Sequence, residues 1–245
     1  MLVVSLQRVK LRNRGIMSQS EKDNQSLNGT YETKEYFANL YGATDESGNP
    51  SQTKIDKLRD NMLVKMFAKY GSVDLKNASV VDIGCGYGWL LDYFDSAKRV
   101  CGSDISDHAI EVAKKRSPQR EFKVADIQNG VAFDNKFDLV LAINVIEHLP
   151  NPAAGIKAIC DALNPGGIAL VHLPTINNAF NKWEYKYLYD SDPTHIYRPK
   201  GSEIRRMFEE NGLKTLRDSF LPHFPAWLTR LIPIHPAYLA VYKKN

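Results

Sequence analysis

A carboxylate and three glycines fall within seven residues, as Asp82-Ile83-Gly84-Cys85-Gly86-Tyr87-Gly88. Apolar Val80-Val81 precede them and Trp89-Leu90-Leu91 follow, so the stretch reads as strand, loop and helix start. Glycines in such a loop permit a tight turn and let a ligand approach the backbone closely. Several nucleotide-binding folds use a glycine loop, and two details narrow the choice. The dinucleotide pattern G-x-G-x-x-G needs a third glycine for close helix–strand packing. Trp89 stands at that position, and the spacing here is G-x-G-x-G. Asp82 would repel a pyrophosphate, but it suits a ligand carrying an ammonium and a sulfonium. No Gly-Lys-Ser/Thr follows, so the lysine-bearing phosphate loop is absent.

Two further aspartates keep step with the loop. Gly102-Ser103-Asp104 ends the next strand, about twenty residues after the first glycine. An acid at that distance can take both hydroxyls of a ribose. Val124-Ala125-Asp126-Ile127 ends the third strand, where a carboxylate can accept from an adenine amino group. Strand-end aspartates are also turn formers and helix caps. Three in register with a glycine loop point instead to a ligand edge, because open α/β sheets bind at the carboxyl ends of their strands.

These residues resemble the class I, Rossmann-like, S-adenosylmethionine-dependent methyltransferases. The closest resemblance is to the small-molecule branch with Glu-His after the fourth strand. Asp82 to Gly88 looks like its first motif, Asp104 like its ribose-binding acid and Asp126-Ile127 like its adenine-binding pair. Phe137 to Leu149, which contains Asn144-Val145-Ile146-Glu147-His148, looks like its fourth-strand motif. Leu163-Asn-Pro-Gly-Gly-Ile168 looks like the turn into its fifth strand. The match spans roughly residues 72 to 220. The resemblance implies S-adenosyl-L-methionine held by Asp82, Gly84, Cys85, Gly86, Gly88, Asp104, Ile105, Asp126, Ile127 and Asn144. It also implies a seven-stranded, mostly parallel sheet with helices on both faces and the last strand antiparallel. No Asn-Pro-Pro-Tyr or Asp-Pro-Pro-Tyr follows the fourth strand, which disfavours amino-methylation of adenine or glutamine. No paired-acid pattern marks a magnesium-dependent catechol enzyme.

Methyl transfer from a sulfonium is a direct displacement, so the protein mainly aligns nucleophile, methyl and sulfur. An oxygen nucleophile usually needs a base as well. His195, His148 and His172 are the candidates, with Glu147 beside them. Glu147 and His148 follow the fourth strand at the ligand edge. His172 lies near the end of the fifth strand, where some lipid-modifying relatives carry a histidine. His195 lies in the loop Asp192-Pro-Thr-His-Ile-Tyr-Arg-Pro199, where many relatives place one near the acceptor. The expectation is that His195 or His148 orients or deprotonates the acceptor.

The rest of the chain must position these groups. Residues 17 to 30 are polar and read as disordered, and the first thirty form a basic and polar tail. Residues 31 to 245 read as one domain. Its helical cap is 31–71, its core 72–245, and 176–198 and 220–236 are substrate-side insertions. In the cap, Ile55, Leu58, Met62, Met66 and Phe67 share one face of a helix over Ser51–Tyr70, and Gly71 ends it. Strands are expected at Ser79–Ile83, Arg99–Ser103, Glu121–Val124, Phe137–Ile143, Ile168–Leu173, Lys214–Arg217 and Tyr238–Tyr242. Helices are expected at Trp89–Phe94, Ser106–Lys115, Ala153–Leu163 and Ser202–Asn211. Such alternation implies a mostly parallel sheet.

Composition bounds the partners. The chain has 245 residues, 43% hydrophobic and 24% charged, which suits one globular domain. The net charge of +4 comes from Arg8, Lys10, Arg12 and Arg14, and leaves 28 basic against 28 acidic residues elsewhere. A neutral body argues against a nucleic-acid partner. No apolar run approaches the roughly 20 residues that span a bilayer. Phe220–Pro236, with four prolines, reads as an apolar cap over the pocket, with peripheral membrane contact as the alternative. Cys85, Cys101 and Cys160 show no C-x-x-C spacing, which argues against a disulfide framework and against zinc; no metal is expected, and a reducing cytoplasm is the simplest compartment. The acid-free first sixteen residues read as a tail, or as an upstream start before Met17, with a mitochondrial transit segment as the alternative. A small-molecule acceptor is favoured over RNA or protein, and over cofactor binding without catalysis. Trp89 disfavours a nicotinamide dehydrogenase. Both monomer and homodimer stay open.

Overall fold

The computed structural model describes residues 51–190, 192–220 and 237–245. The expected tail, the first part of the expected helical cap (31–50) and most of Phe220–Pro236 lie outside these residues.

Seven strands form one sheet: β1 (Ser79–Ile83), β2 (Arg99–Asp104), β3 (Glu121–Val124), β4 (Phe137–Ile143), β5 (Leu163–Pro174), β6 (Leu213–Ser219) and β7 (Ala237–Lys244). Their order is β3-β2-β1-β4-β5-β7-β6. β1 pairs in parallel with β2 and β4, and β7 runs antiparallel to both β5 and β6. This is the expected Rossmann-like sheet. The chain reverses direction on either side of β1, first toward β2 and β3 and later toward β4. Asp82 pairs with Gly102 and Leu141, and Ile83 with Ser103 and Ala142, so β1, β2 and β4 end level with one another. A crevice must open where these ends diverge, and ligands of open α/β sheets bind there.

Both faces of the sheet are covered. On one, Val81, Val140 and Val171 pack beneath α3 (Pro152–Asp161) and α5 (Gly201–Glu210) through Ile156, Ile159, Ile204 and Phe208. Phe208 stacks on Tyr242 with ring centres 4.4 Å apart. On the other, Val80, Leu139 and Leu170 meet Leu63, Met66 and Phe67 of α1 (Lys54–Tyr70), and Ile110 and Ala113 of α2 (Asp107–Arg116). Fully burying one such side chain contributes about 1.5–3 kcal/mol.

Local caps match the sequence. Thr53 accepts from the Asp56 amide, Ser106 from Ala109 and Asn151 from Ala154. Such caps satisfy amides that have no partner inside the helix.

Three elements differ from expectation. The segment after the glycine loop is a 3-10 turn over Leu90–Phe94, not an α-helix. Three residues per turn puts Leu91 and Phe94 on the same side, and both are fully buried. The buried face of α1 holds Asp60, Leu63, Met66 and Phe67, while Ile55 and Leu58 are exposed. The first turns of α1 face the crevice, so a carboxylate takes the place that the apolar pattern assigned elsewhere. The insertion 176–198 contains a helix, α4 (Ala179–Leu188), capped by Asn178. Its aromatics split: Tyr185 is buried, and Phe180, Trp183 and Tyr187 are exposed. No helix of the described residues is long and apolar enough to cross a membrane.

Candidate active site

A cavity of about 200 Å³ opens at the carboxyl ends of β1, β2 and β4. Asp82, Gly84, Cys85, Gly86, Asp104, Ile105, Asp126, Ile127, Asn144, His148 and His195 line it. Of the sequence-derived site residues, Gly88, Glu147 and His172 do not.

The glycine loop is shaped by backbone geometry. Gly84 and Gly86 have φ of 71° and 52°, a region costly for residues with a Cβ. A Cβ on Gly84 would also strike the Val145 methyl. Gly84 and Cys85 amides donate to the Ser103 carbonyl at 2.7 and 2.9 Å, which fastens the loop to β2. Gly88 lies behind the wall, where its carbonyl accepts from Arg116 at 2.5 Å.

The three aspartates have different environments. Asp104 accepts from the Gly86 amide at 2.8 Å and the Ser106 amide at 2.9 Å, so it ties the loop to the start of α2. Burial raises its pKa, and these amides partly offset that. Asp126 caps a short turn by accepting from the Gln128 amide at 2.9 Å and is only half-buried. Asp82 is buried, and its Oδ1 has no hydrogen-bond partner among the described residues. Desolvation first, then the nearby Asp60 and Asp104 charges, push its carboxyl well above the usual range. An unpaired buried carboxylate is expensive, so the site favours a cation beside Asp82.

The opposite wall is made of side chains. The Glu147, His148 and His195 donor atoms lie within 4.8 Å of one another. The two imidazole centres are 4.8 Å apart, edge to face. Glu147 is fully buried, and neither carboxyl oxygen has a partner among the described residues. Its pKa is pushed up to about 8, mainly by desolvation. Burial also lowers His148, while the Asp192 charge works against that. His195 falls to about 4 through burial and the neighbouring His148. Burial works to raise Asp192, but the Thr194 hydroxyl and amide and the two imidazoles hold it below the usual range.

His172 sits one layer behind the cavity. Its Nδ1 lies 2.5 Å from the Asn144 Oδ1, and its carbonyl accepts from the Asn144 amide at 2.8 Å. Asn144 itself holds φ at 56°, the only non-glycine residue with positive φ among those described. His172 thus braces the residue that lines the cavity.

Sequence reasoning missed the contribution of α1 and of Gln52 just before it. Gln52, Asp56, Arg59 and Asp60 all line the cavity. Arg59 bridges Asp60 at 2.8 Å and Asp56 at 3.0 Å, and Gln52 also donates to Asp60. The available signal was a charged residue, Asp60, spaced three and seven from Leu63 and Phe67. Asp192 and Thr194 were missed beside His195, although Asp-Pro-Thr is a side-chain-capped turn. The Thr194 amide donates to the Asp192 Oδ1 at 2.9 Å.

Comparison with known proteins identifies the family and the fold. Residues 54–217 match the family of the methyltransferase domain. A ubiquinone biosynthesis O-methyltransferase of Coxiella burnetii is 30% identical over 169 residues, which cover 62% of this chain and 70% of that one. One from a Methylobacterium species is 33% identical over 157 residues, covering 58% and 62%. The magnesium protoporphyrin IX methyltransferase of Synechocystis, solved with S-adenosylhomocysteine bound, shares the fold. Its TM-score is 0.62 at 16% identity, covering 88% of this chain and 96% of that one. With the family matched over residues 54–217, the chain belongs to the S-adenosylmethionine-dependent methyltransferases of Rossmann-like fold.

Proposed function

We propose that the protein transfers a methyl group from S-adenosylmethionine to an oxygen of a small-molecule acceptor. The observation that carries this reading is the buried Asp82 carboxyl in one wall, whose Oδ1 has no hydrogen-bond partner among the described residues, facing a cavity whose other wall holds two imidazoles. The relatives named as O-methyltransferases support oxygen as the nucleophile.

The residues fit the cofactor. Asp82 supplies a buried negative charge for its cationic part. Gly84 and Gly86 leave room for close approach to the backbone. Asp104 and Asp126 each keep acceptor capacity beyond the amides they already hold, for ribose and adenine. Ile105 and Ile127 give apolar wall between them, and Arg59 can meet a carboxylate. The cofactor supplies an electrophilic methyl on sulfur. The protein's part is alignment, exclusion of water and management of one proton.

His148 or His195 takes the acceptor's proton. Burial keeps both imidazoles neutral at pH 7, so each can act as a base there. Glu147, neutral below about pH 8, leaves the pocket uncharged beside them. The 176–198 segment covers the acceptor side, because it carries His195 and the Tyr185 and Tyr189 rings that pack on it.

Calorimetric titration with S-adenosylmethionine, S-adenosylhomocysteine and NAD tests the cofactor half. Micromolar binding of the first two and none of NAD is expected, with weaker binding by Asp104→Ala. An acceptor screen with hydroxylated aromatics follows, read by S-adenosylhomocysteine release. Methyl found only on nitrogen, or only on RNA or protein, would overturn the acceptor assignment.

A further inference from the structure

Two histidines compete for the role of base, and their partners separate them. Thr194 Oγ1 lies 2.5 Å from the Asp192 Oδ1, and the Thr194 amide donates to that same oxygen at 2.9 Å. An ionised carboxylate only accepts, so the threonine hydroxyl must spend its one proton on Asp192. Thr194 Oγ1 can then only accept from His148 Nδ1, 2.9 Å away. The Thr194 carbonyl, 3.1 Å from the same nitrogen, is likewise an acceptor only. Both contacts therefore require the proton of neutral His148 to sit on Nδ1.

His195 has no such anchor. Its Nδ1 is 3.4 Å from the Tyr185 hydroxyl, which can donate or accept, and its Nε2 is 3.8 Å from the Asp192 Oδ2. Neither contact fixes a tautomer.

Resting on the methyl-transfer reading above, we propose that Asp192 and Thr194 are positioning residues that hold His148 as its Nδ1–H tautomer, so that Nε2 takes the acceptor's proton. In the step, the acceptor O–H bond breaks and a bond forms from that proton to Nε2. An oxygen electron pair forms the new bond to methyl carbon, and the pair of the breaking C–S bond goes to sulfur. The imidazolium formed is stabilised through Thr194 by the Asp192 carboxylate. The arrangement follows the logic of a nucleophile-activating triad, with a hydroxyl inserted between acid and imidazole.

The test needs no acceptor. The full chain is labelled with 15N-histidine, and long-range nitrogen–proton spectra report the protonated nitrogen of each ring. His148→Gln assigns the signal. Wild type should show His148 as Nδ1–H. Thr194→Val should lower the Nδ1–H fraction, with part retained by the Thr194 carbonyl, and Thr194→Ser should restore it. Asp192→Asn should lower the His148 titration midpoint by about one unit, because it removes an opposite charge; among the described residues Glu147 and His195 also face the ring, and the Asp192 charge acts on both of them too. An Nε2–H wild type, or a midpoint unmoved in Asp192→Asn, overturns the proposal. If Thr194→Val does not fold, the wild-type tautomer and Asp192→Asn still decide. A protein that methylates no oxygen would refute the proposed function while leaving the tautomer result standing.

Discussion

The two walls of the cavity solve the same problem with different materials. The glycine-loop wall is fixed by the backbone: strand ends in register, amides bound to Ser103 and Asp104, and left-handed glycines. The histidine wall is fixed by side chains drawn from β4, the following turn and the 176–198 segment. A backbone-defined wall suits a ligand shared by a whole family, because it tolerates change elsewhere. A side-chain wall can be rewritten residue by residue, which suits an acceptor that differs between relatives.

The largest expected effect lies in the backbone wall. Gly84→Val adds a Cβ at positive φ and drives it into Val145. We expect loss of measurable S-adenosylhomocysteine binding by calorimetry, in protein that keeps its far-ultraviolet dichroism. Binding within tenfold of wild type would mean that the loop is as adaptable as the side-chain wall, and the contrast would fail.

Glu147, which lies beside the two imidazoles but outside the cavity lining, tests what supports the other wall. Its carboxyl titrates near 8 in the folded protein, against 4.5 ordinarily. The folded state therefore binds an extra proton between those values, and stability falls as pH rises through that window. Glu147→Gln should flatten this dependence. Its melting temperature should match wild type near pH 5 and exceed it by several degrees at pH 8. Equal slopes in the two proteins would show that Glu147 gains a partner we have not assigned.

Asp82→Asn separates stability from binding within the first wall. Asp82 is raised by burial and neighbouring acids, so its ionised form opposes folding above the ordinary carboxylate range. The amide should raise the melting temperature of ligand-free protein at pH 7 and weaken cofactor binding about 10- to 100-fold, the loss of one charge-assisted hydrogen bond. A variant that binds as tightly as wild type would remove Asp82 from the cofactor's partners.

The contrast between walls also explains what could be read in advance. The place of Gly84, Gly86, Asp104 and Asp126 in the cavity lining was legible because it follows from strand ends and loop spacing, which repeat along the chain. The mostly parallel sheet followed from the alternation of strands and helices, and its antiparallel last strand from the family resemblance; the strand order was read only from the structure. Arg59 and Asp60 were not legible, because α1 meets the cavity only after the chain has folded back over β1. Thr194 was hidden for a similar reason: its partner His148 is 46 residues away. The face of α1 was misread because apolar periodicity cannot show that its first turns border a polar cavity, where Asp60 is buried and Ile55 is not.

Asn144 stands where the walls meet, and the smallest effect is expected there. It lines the cavity, holds φ at 56° and bonds to His172. A non-glycine residue in that conformation carries about 1 kcal/mol of strain, and its side-chain bond offsets about the same amount. Asn144→Gly relieves the strain and loses the bond, so its melting temperature should stay within about 3 °C of wild type. Asn144→Ala keeps the strain and loses the bond. It should fall below the glycine variant by roughly 1 kcal/mol, about 2–4 °C for a chain of this size. If alanine proves as stable as glycine, the backbone there is not strained. Asn144 would then belong to the side-chain wall alone, chosen for its bond to His172 rather than for its tolerance of positive φ.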